Sequence, residues 1–246
     1  MRSANPALND RIFPRVDVST GDEMTIQGTV NKTAIMLFLV ICSASFTWHE
    51  FFKTSSAAGV MGWVMGGAIG GFIVALITIF KKNLAPYTAP IYAILEGLLL
   101  GGISALYASQ FHGIVVQAVG LTFGTLFAML MAYKSGMIRV TEKFKMGVVA
   151  ATGGICLLYI ASIIMGFFGV NIPFIHSSGT FGILFSLFVV VVAALNLVID
   201  FDFIEKGAAM GAPKYMEWYG AFGLMVTLIW LYLEMLRLLA KLQSRR

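Results

Sequence analysis

Charge is what this sequence has least of. Asp, Glu, Lys and Arg make up 12% of its 246 residues, about half the share usual in soluble proteins. Cysteine is almost absent, with only Cys42 and Cys156, which excludes a disulfide-stapled scaffold. The three histidines, His49, His112 and His176, do not include a pair at the close spacing of a helical metal site. No glycine-rich phosphate loop is present. The net charge is +5, yet no arginine-rich stripe with interleaved aromatics accompanies it, so nucleic acid is not the expected partner. What remains is apolar: 59% hydrophobic residues and a mean hydropathy of +0.86.

The charge-free runs set the fold class, because a bilayer core needs about 20 apolar residues in helix. Lys32 to Glu50 encloses one run and Lys53 to Lys81 a second. Between Lys82 and Lys134 the only charge is Glu96. That stretch holds two helices, broken at Ser109-Gln110-Phe111-His112-Gly113. Lys145 to Asp200 is free of charge and again holds two, separated by Gly169-Val170-Asn171-Ile172-Pro173 and Ser177-Ser178-Gly179. A last run ends near Ala240. The expectation is an all-α integral membrane bundle of seven transmembrane helices, at about 32–52, 57–80, 86–108, 113–133, 146–168, 179–203 and 215–240. Residues 1–30 form a polar N-terminal segment, and 31–242 the transmembrane domain.

Basic residues near the span ends give the orientation. Twelve of the 17 Lys and Arg, from Arg2 to Lys214, fall on the N-terminal side, and five, including Lys53 and Arg237, on the other. A cytoplasmic N-terminus and a multi-pass protein of the cell (inner) membrane follow, with the basic C-terminal tail outside as an exception. The start lacks the basic-then-apolar pattern of a cleaved signal, so the first span is expected to direct insertion. Cys42 and Cys156 are expected as buried small apolar residues. Glycines at four-residue spacing (Gly62, Gly66 and Gly70; Gly67 and Gly71; Gly97 and Gly101) point to close helix packing within one chain.

Acids inside the spans are the candidates for function, because a carboxylate near the bilayer centre costs on the order of 3 kcal/mol to insert. Glu96 lies near mid-depth of span three, and Asp200 and Asp202 close span six. Residues two apart diverge on a helix, so Asp200 and Asp202 cannot pair. Asn196 shares the Asp200 face, whereas Lys206 lies four after Asp202 and favours a structural ion pair there. Asp200 is therefore weighted as the functional member. On span seven, Glu217, Gly220, Gly223, Thr227 and Glu234 occupy one arc of about 120°, expected to face the interior. Glu217 is expected to be solvated near its helix end, Glu234 to pair with Arg237, and Thr227 to bond its own backbone. Glu96, Asn196, Asp200 and Thr227 are expected to converge as oxygen ligands.

The run Asp200-Phe201-Asp202-Phe203-Ile204-Glu205-Lys206, with Tyr215, Met216-Glu217-Trp218-Tyr219 and Leu228 to Leu239, resembles the C-terminal signature of the Bax inhibitor (YccA-like, transmembrane Bax inhibitor motif) membrane proteins. The start Ser3-Ala4-Asn5-Pro6 is similar to a bacterial branch of that family. The resemblance implies a central helix surrounded by the others, and in some members a pH-sensitive calcium leak gated by two aspartates on the last two helices. The first would be Asp200, or else Asp202. The second is missing, since Thr227 stands in its place, and Glu96 is expected to supply the other carboxylate.

A pH-sensitive cation leak, most simply for calcium, is the expected function, gated as those carboxylates share or lose protons. Calcium takes six to eight oxygens, so this site would hold it weakly and transiently, as permeation requires. No resident cofactor or metal is expected. Protons, cations and the lipid bilayer are the expected partners. The alternative is a non-conducting regulator that binds another membrane protein, such as a membrane protease. No enzyme is expected. His176-Ser177-Ser178-Gly179 are loop neighbours rather than an oriented nucleophile and base, and no lysine for retinal lies between Lys214 and Lys241.

Overall fold

Seven helices follow one another in the computed structural model, which describes residues 23–54, 56–169 and 179–245. They are α1 (Ile26–Thr54), α2 (Ala57–Phe80), α3 (Ala85–Gln110), α4 (Ile114–Lys134), α5 (Glu142–Phe167), α6 (Thr180–Ala209) and α7 (Met216–Gln243), with a 3-10 turn at Lys82–Leu84. All seven are long and apolar enough to cross a membrane. The chain is an all-α, multi-pass membrane protein. At about 1.5 Å per residue, α1 and α6 exceed the roughly 30 Å hydrocarbon thickness, so their polar ends project beyond it.

The boundaries follow local chemistry. Ser56 and Thr141 cap α2 and α5 by accepting from Ala58 N and Phe144 N, as short hydroxyl side chains do at helix starts. Pro86 stands in the first turn of α3, where no N–H is needed. Two helices depart most from the expected bounds. α1 starts at Ile26 rather than near residue 32, and α6 continues past both aspartates to Ala209, because Phe203, Ile204 and Ala208 keep its apolar pattern going. The expected loop at Val170–Ser178, with His176, Ser177 and Ser178, lies outside the described residues, as do the basic residues Arg2, Arg11 and Arg15.

Helix α7 sits at the centre, packed against α6, α1, α4 and α3, while α2 lies against α3 and α5 against α6. Two apolar clusters meet on it: Leu197, Phe201, Leu228 and Leu231 on one side, and Met36, Tyr92, Phe222 and Met225 on the other. Large apolar side chains also cover the outside; Phe72 is 64% and Phe38 65% exposed, which suits contact with lipid rather than water. Cys42 and Cys156 are exposed free thiols on these outer faces, not buried as expected, because a lipid-facing site accepts a small apolar side chain as readily as a core does. Residue 23 and the α2–α3, α4–α5 and α6–α7 turns share one end of the bundle, called here the proximal face; the α1–α2 and α3–α4 turns mark the distal face.

The glycines divide by what they face. A Cβ on Gly97 would meet Val40 O at 2.5 Å and Val40 Cα at 3.0 Å, and one on Gly67 would meet Leu95 O at 2.5 Å, whereas Gly62 and Gly66 have open space. Close packing within the chain thus holds for the α1–α3 and α2–α3 contacts but not for the outer α2 stripe. Gly97→Val should destabilise the bundle by about 1–3 kcal/mol, since backbone cannot yield as a side chain does. Gly62→Val should be near neutral. Thermal unfolding of the two variants in detergent measures the contrast, and equal losses would contradict it.

Candidate functional site: a buried carboxyl in the α6–α7 seam

Most acids of the bundle are neutralised locally. Asp202 is held by Lys145 of α5 at 2.9 Å and by Lys206 at 2.8 Å. Glu234, 2% exposed, pairs with Arg237 at 2.7 Å, and Tyr159 of α5 donates to its Oε1 at 2.9 Å. Glu217 is not solvated as expected. It is fully buried, pairs with Lys32 of α1 and, at 3.4 Å, with Lys214, and accepts from Thr25 N at 2.9 Å and Thr25 Oγ1 at 2.8 Å. A helix terminus does not imply exposure when another segment folds across it, and here residues 23–25 do.

Asp200 differs. Its Oδ2 is shut off from solvent and has no hydrogen-bond partner, and no lysine or arginine pairs with it among the described residues. It occupies the seam between α6 and α7. A Cβ on Gly223 would stand 4.0 Å from its Oδ1, and the Thr227 hydroxyl lies beside the carboxyl while also donating to Gly223 O at 3.3 Å. A small and a hydroxyl residue, one turn apart on α7, thus leave room for the Asp200 side chain without supplying a counter-charge.

The four expected oxygen ligands do not all converge. Asn196 is turned to α5 and to its own helix, donating to Thr152 Oγ1 at 2.8 Å and Val192 O at 2.9 Å. Glu96 sits in the α2–α3 contact, where a Cβ on Gly71 would lie 2.8 Å from its Oε1, and its polar neighbour is the Tyr92 hydroxyl one turn earlier. Among the described residues no hydrogen bond or ion pair links Glu96 to Asp200. The connection between them is indirect, through the Tyr92 ring packed edge-on against Phe222 of α7 at 4.9 Å. Asp200 and Thr227 are brought together; Glu96 and Asn196 are held elsewhere by the helices they pack on.

Several partners were not singled out from the sequence. Lys32, Lys145, Thr25, Tyr159 and Thr152 each bind a residue at least 44 positions away, so no helical spacing announces them. Only Tyr92, four before Glu96, and Lys214, three before Glu217, carried a local signal. The expected absence of a metal cluster can be compared with the described residues alone, where no group of three His, Cys, Asp or Glu could hold an ion. A lateral cavity of about 490 Å³ lies between α1, α3, α4 and α7, lined by Leu37, Trp48, Val116, Met225 and Tyr232 among others. It reaches neither Asp200 nor Glu96, and its Ser104 and Tyr232 hydroxyls satisfy one another at 2.7 Å.

Seven spanning helices with α7 at the centre, and between α6 and α7 a closed carboxyl that no lysine or arginine among the described residues pairs with, define a polytopic membrane protein with a charge-bearing helical interior. The sequence profile of the Bax inhibitor 1 like family matches residues 5–244, and the chain belongs to that family. No curated protein matches the chain.

Proposed function

We propose that the protein is a pH-sensitive cation leak, most simply for calcium, with Asp200 as its proton- and cation-responsive group. The observation that carries this reading is a contrast among the acids of the bundle: Asp202, Glu217 and Glu234 each have a cation within 4 Å, whereas among the described residues Asp200, like Glu96, has none, and Asp200 alone of these two has a carboxyl oxygen that is closed from solvent without a hydrogen-bond partner. A charge without a partner in a dry interior costs several kcal/mol. Ionisation of Asp200 therefore favours a parted seam in which water or a cation meets the carboxylate, with Thr227 and main-chain carbonyls as further oxygens. Such a set binds calcium incompletely, which suits passage rather than storage. The proximal face, which carries Lys32, Lys81, Lys82, Lys134, Lys145, Lys206 and Lys214, is the cytoplasmic one on this reading.

Calcium uptake into proteoliposomes across a pH series tests the proposal. Wild type should show uptake that varies with pH, and Asp200→Asn should flatten that variation. Glu96→Gln should change it less, because Glu96 reaches the seam only through Tyr92 and Phe222. Absence of pH-dependent uptake by the wild type would overturn the leak in favour of a non-conducting regulator that binds another membrane protein. The broad outer faces of α2 and α4, where Gly62, Gly66, Gly120 and Gly124 meet nothing within 4 Å, favour that second reading, and a regulator should tolerate Asp200→Asn.

A further inference from the structure

The α6–α7 seam ends at the proximal face in two glycines. Along α6, Asp200, Ile204 and Gly207 share one side; along α7, Gly220, Gly223 and Thr227 do. Gly223 faces Asp200, and Gly220 faces Ile204, so Gly207 and Gly220 stand at the mouth beneath the carboxyl. Two missing side chains at one mouth would leave an opening. Met24 fills it. A Cβ on Gly207 would meet the Met24 sulfur at 2.9 Å, and one on Gly220 would meet Met24 Cε at 3.4 Å and Thr29 Cγ2 at 3.3 Å. Met24 is 2% exposed, although it belongs to a short extended segment before α1 rather than to any helix.

That segment is tied down by polar contacts on both sides of Met24. Glu23 forms an isolated antiparallel bridge with Pro213, and Met24 N donates to Ala212 O at 2.6 Å. Gly211, with φ +65°, turns the chain so that this carbonyl is presented, a conformation glycine adopts without strain. On the other side, Thr25 donates twice to Glu217 Oε1, whose second oxygen is held by Lys32. Only three residues are involved; apart from the start of α1, where Thr25 Oγ1 accepts from Gly28 N at 2.9 Å, their polar contacts run to the α6–α7 turn and the start of α7.

We propose that Glu23–Thr25 form a latch over the proximal mouth of the α6–α7 seam, with Met24 as the plug and Glu217 as the clasp, so that access of water and cations to Asp200 requires the segment preceding α1 to lift. The inference rests on Asp200 being the responsive group, but its physical content is a route, and a route is measurable without transport. An unbranched thioether is well matched to a plug that must come and go, because it fills an irregular gap yet leaves without disturbing rotamers around it.

Thiol accessibility tests it in the full chain reconstituted in lipid nanodiscs. With Cys42→Ala and Cys156→Ala removing the native thiols, Thr227→Cys reports on the seam through its labelling rate with a charged methanethiosulfonate. Met24→Gly should raise that rate by at least about tenfold, because a buried side chain's contacts are lost, and Met24→Leu, which refills the gap, should keep it near the parent rate. Glu23→Cys combined with Pro213→Cys, oxidised to a disulfide across the bridge, should lower the rate below the parent. This locked form carries the test if Met24→Gly does not fold. A labelling rate indifferent to both plug and lock overturns the latch, even if calcium uptake depends on pH. A rate that follows plug and lock upholds it, even if the wild type conducts no calcium.

Discussion

Glu217→Ala is expected to lower the stability of the bundle by about 2–4 kcal/mol, more than any single change on its lipid-facing surface. The carboxylate is fully buried and accepts from two different parts of the chain, Lys32 of α1 and Thr25 before it, besides lying 3.4 Å from Lys214. Charge-assisted hydrogen bonds contribute about 1.5–3 kcal/mol each. The loss stays below their sum, because Lys32, with 18% of its side chain exposed, can turn toward water along its flexible stem. Thr25 N has no such freedom. Glu217→Gln should lie between wild type and Glu217→Ala, since an amide oxygen still accepts from Thr25 while Lys32 loses its counter-charge. Thermal unfolding in detergent orders the three proteins. A Glu217→Ala protein as stable as wild type would mean that these contacts contribute nothing net.

Glu217 also shows where sequence reasoning stops. The number of helices was legible because the bilayer sets one length scale and charges are excluded from it; Lys53, Lys81 and Lys134 therefore mark helix ends almost by themselves, whereas Asp200 does not. Which acids are neutralised was legible only for partners on the same helix, as with Asp202 and Lys206 or Glu234 and Arg237, where three- and four-residue spacing fixes the contact. Lys32 and Glu217 are 185 residues apart, and nothing in either neighbourhood signals the other. The same limit hid the role of Met24, which in sequence closes a polar tail and in space fills the mouth of a seam. Glycine spacing behaved likewise. Gly97 and Gly62 sit in equivalent four-residue patterns, yet one touches the Val40 backbone and the other meets nothing, because spacing defines a face without saying what it faces.

The convergence expected of Glu96 with Asp200 fails on the same ground. Counting along a helix gives depth, but depth is one coordinate of three. The azimuth of Glu96 is set by the Gly71 contact with α2, which a count along α3 does not contain. Asp200 and Thr227 could be joined from sequence because α6 and α7 are consecutive and linked by a short turn, which makes them antiparallel neighbours. Their heights then match within a turn or so. The resemblance implies a pair of acids on the last two helices, and the structure places Thr227, at the second position, beside Asp200.

At the other end of α7, Arg237→Leu is expected to be the most damaging of the charge substitutions, lowering stability by about 3–5 kcal/mol. Glu234 is 2% exposed, its Oε2 has no hydrogen-bond partner, and its Oε1 is shared by Arg237 at 2.7 Å and Tyr159 at 2.9 Å. The guanidinium also donates to the Tyr159 hydroxyl at 2.6 Å, closing a three-membered network that ties α5 to α7 where α5 otherwise packs on α6. Removing the guanidinium leaves a carboxylate in a nearly dry site with one hydroxyl donor and only the field of Lys241, whose ammonium is bonded to Gly182 O and Ser186 Oγ, which is the costly half of a buried pair. Replacing both members should cost far less. Glu234→Leu combined with Arg237→Leu removes the charge along with its partner and leaves one unmatched hydroxyl on Tyr159, a loss of about 1–3 kcal/mol. The double variant should therefore unfold at a higher temperature than Arg237→Leu alone. Such a reversal, in which a second substitution restores what the first removed, distinguishes a stranded charge from lost packing, because packing losses from neighbouring truncations would accumulate instead. If the double variant proves no more stable than the single one, the pair acts through its shape and its charges are incidental.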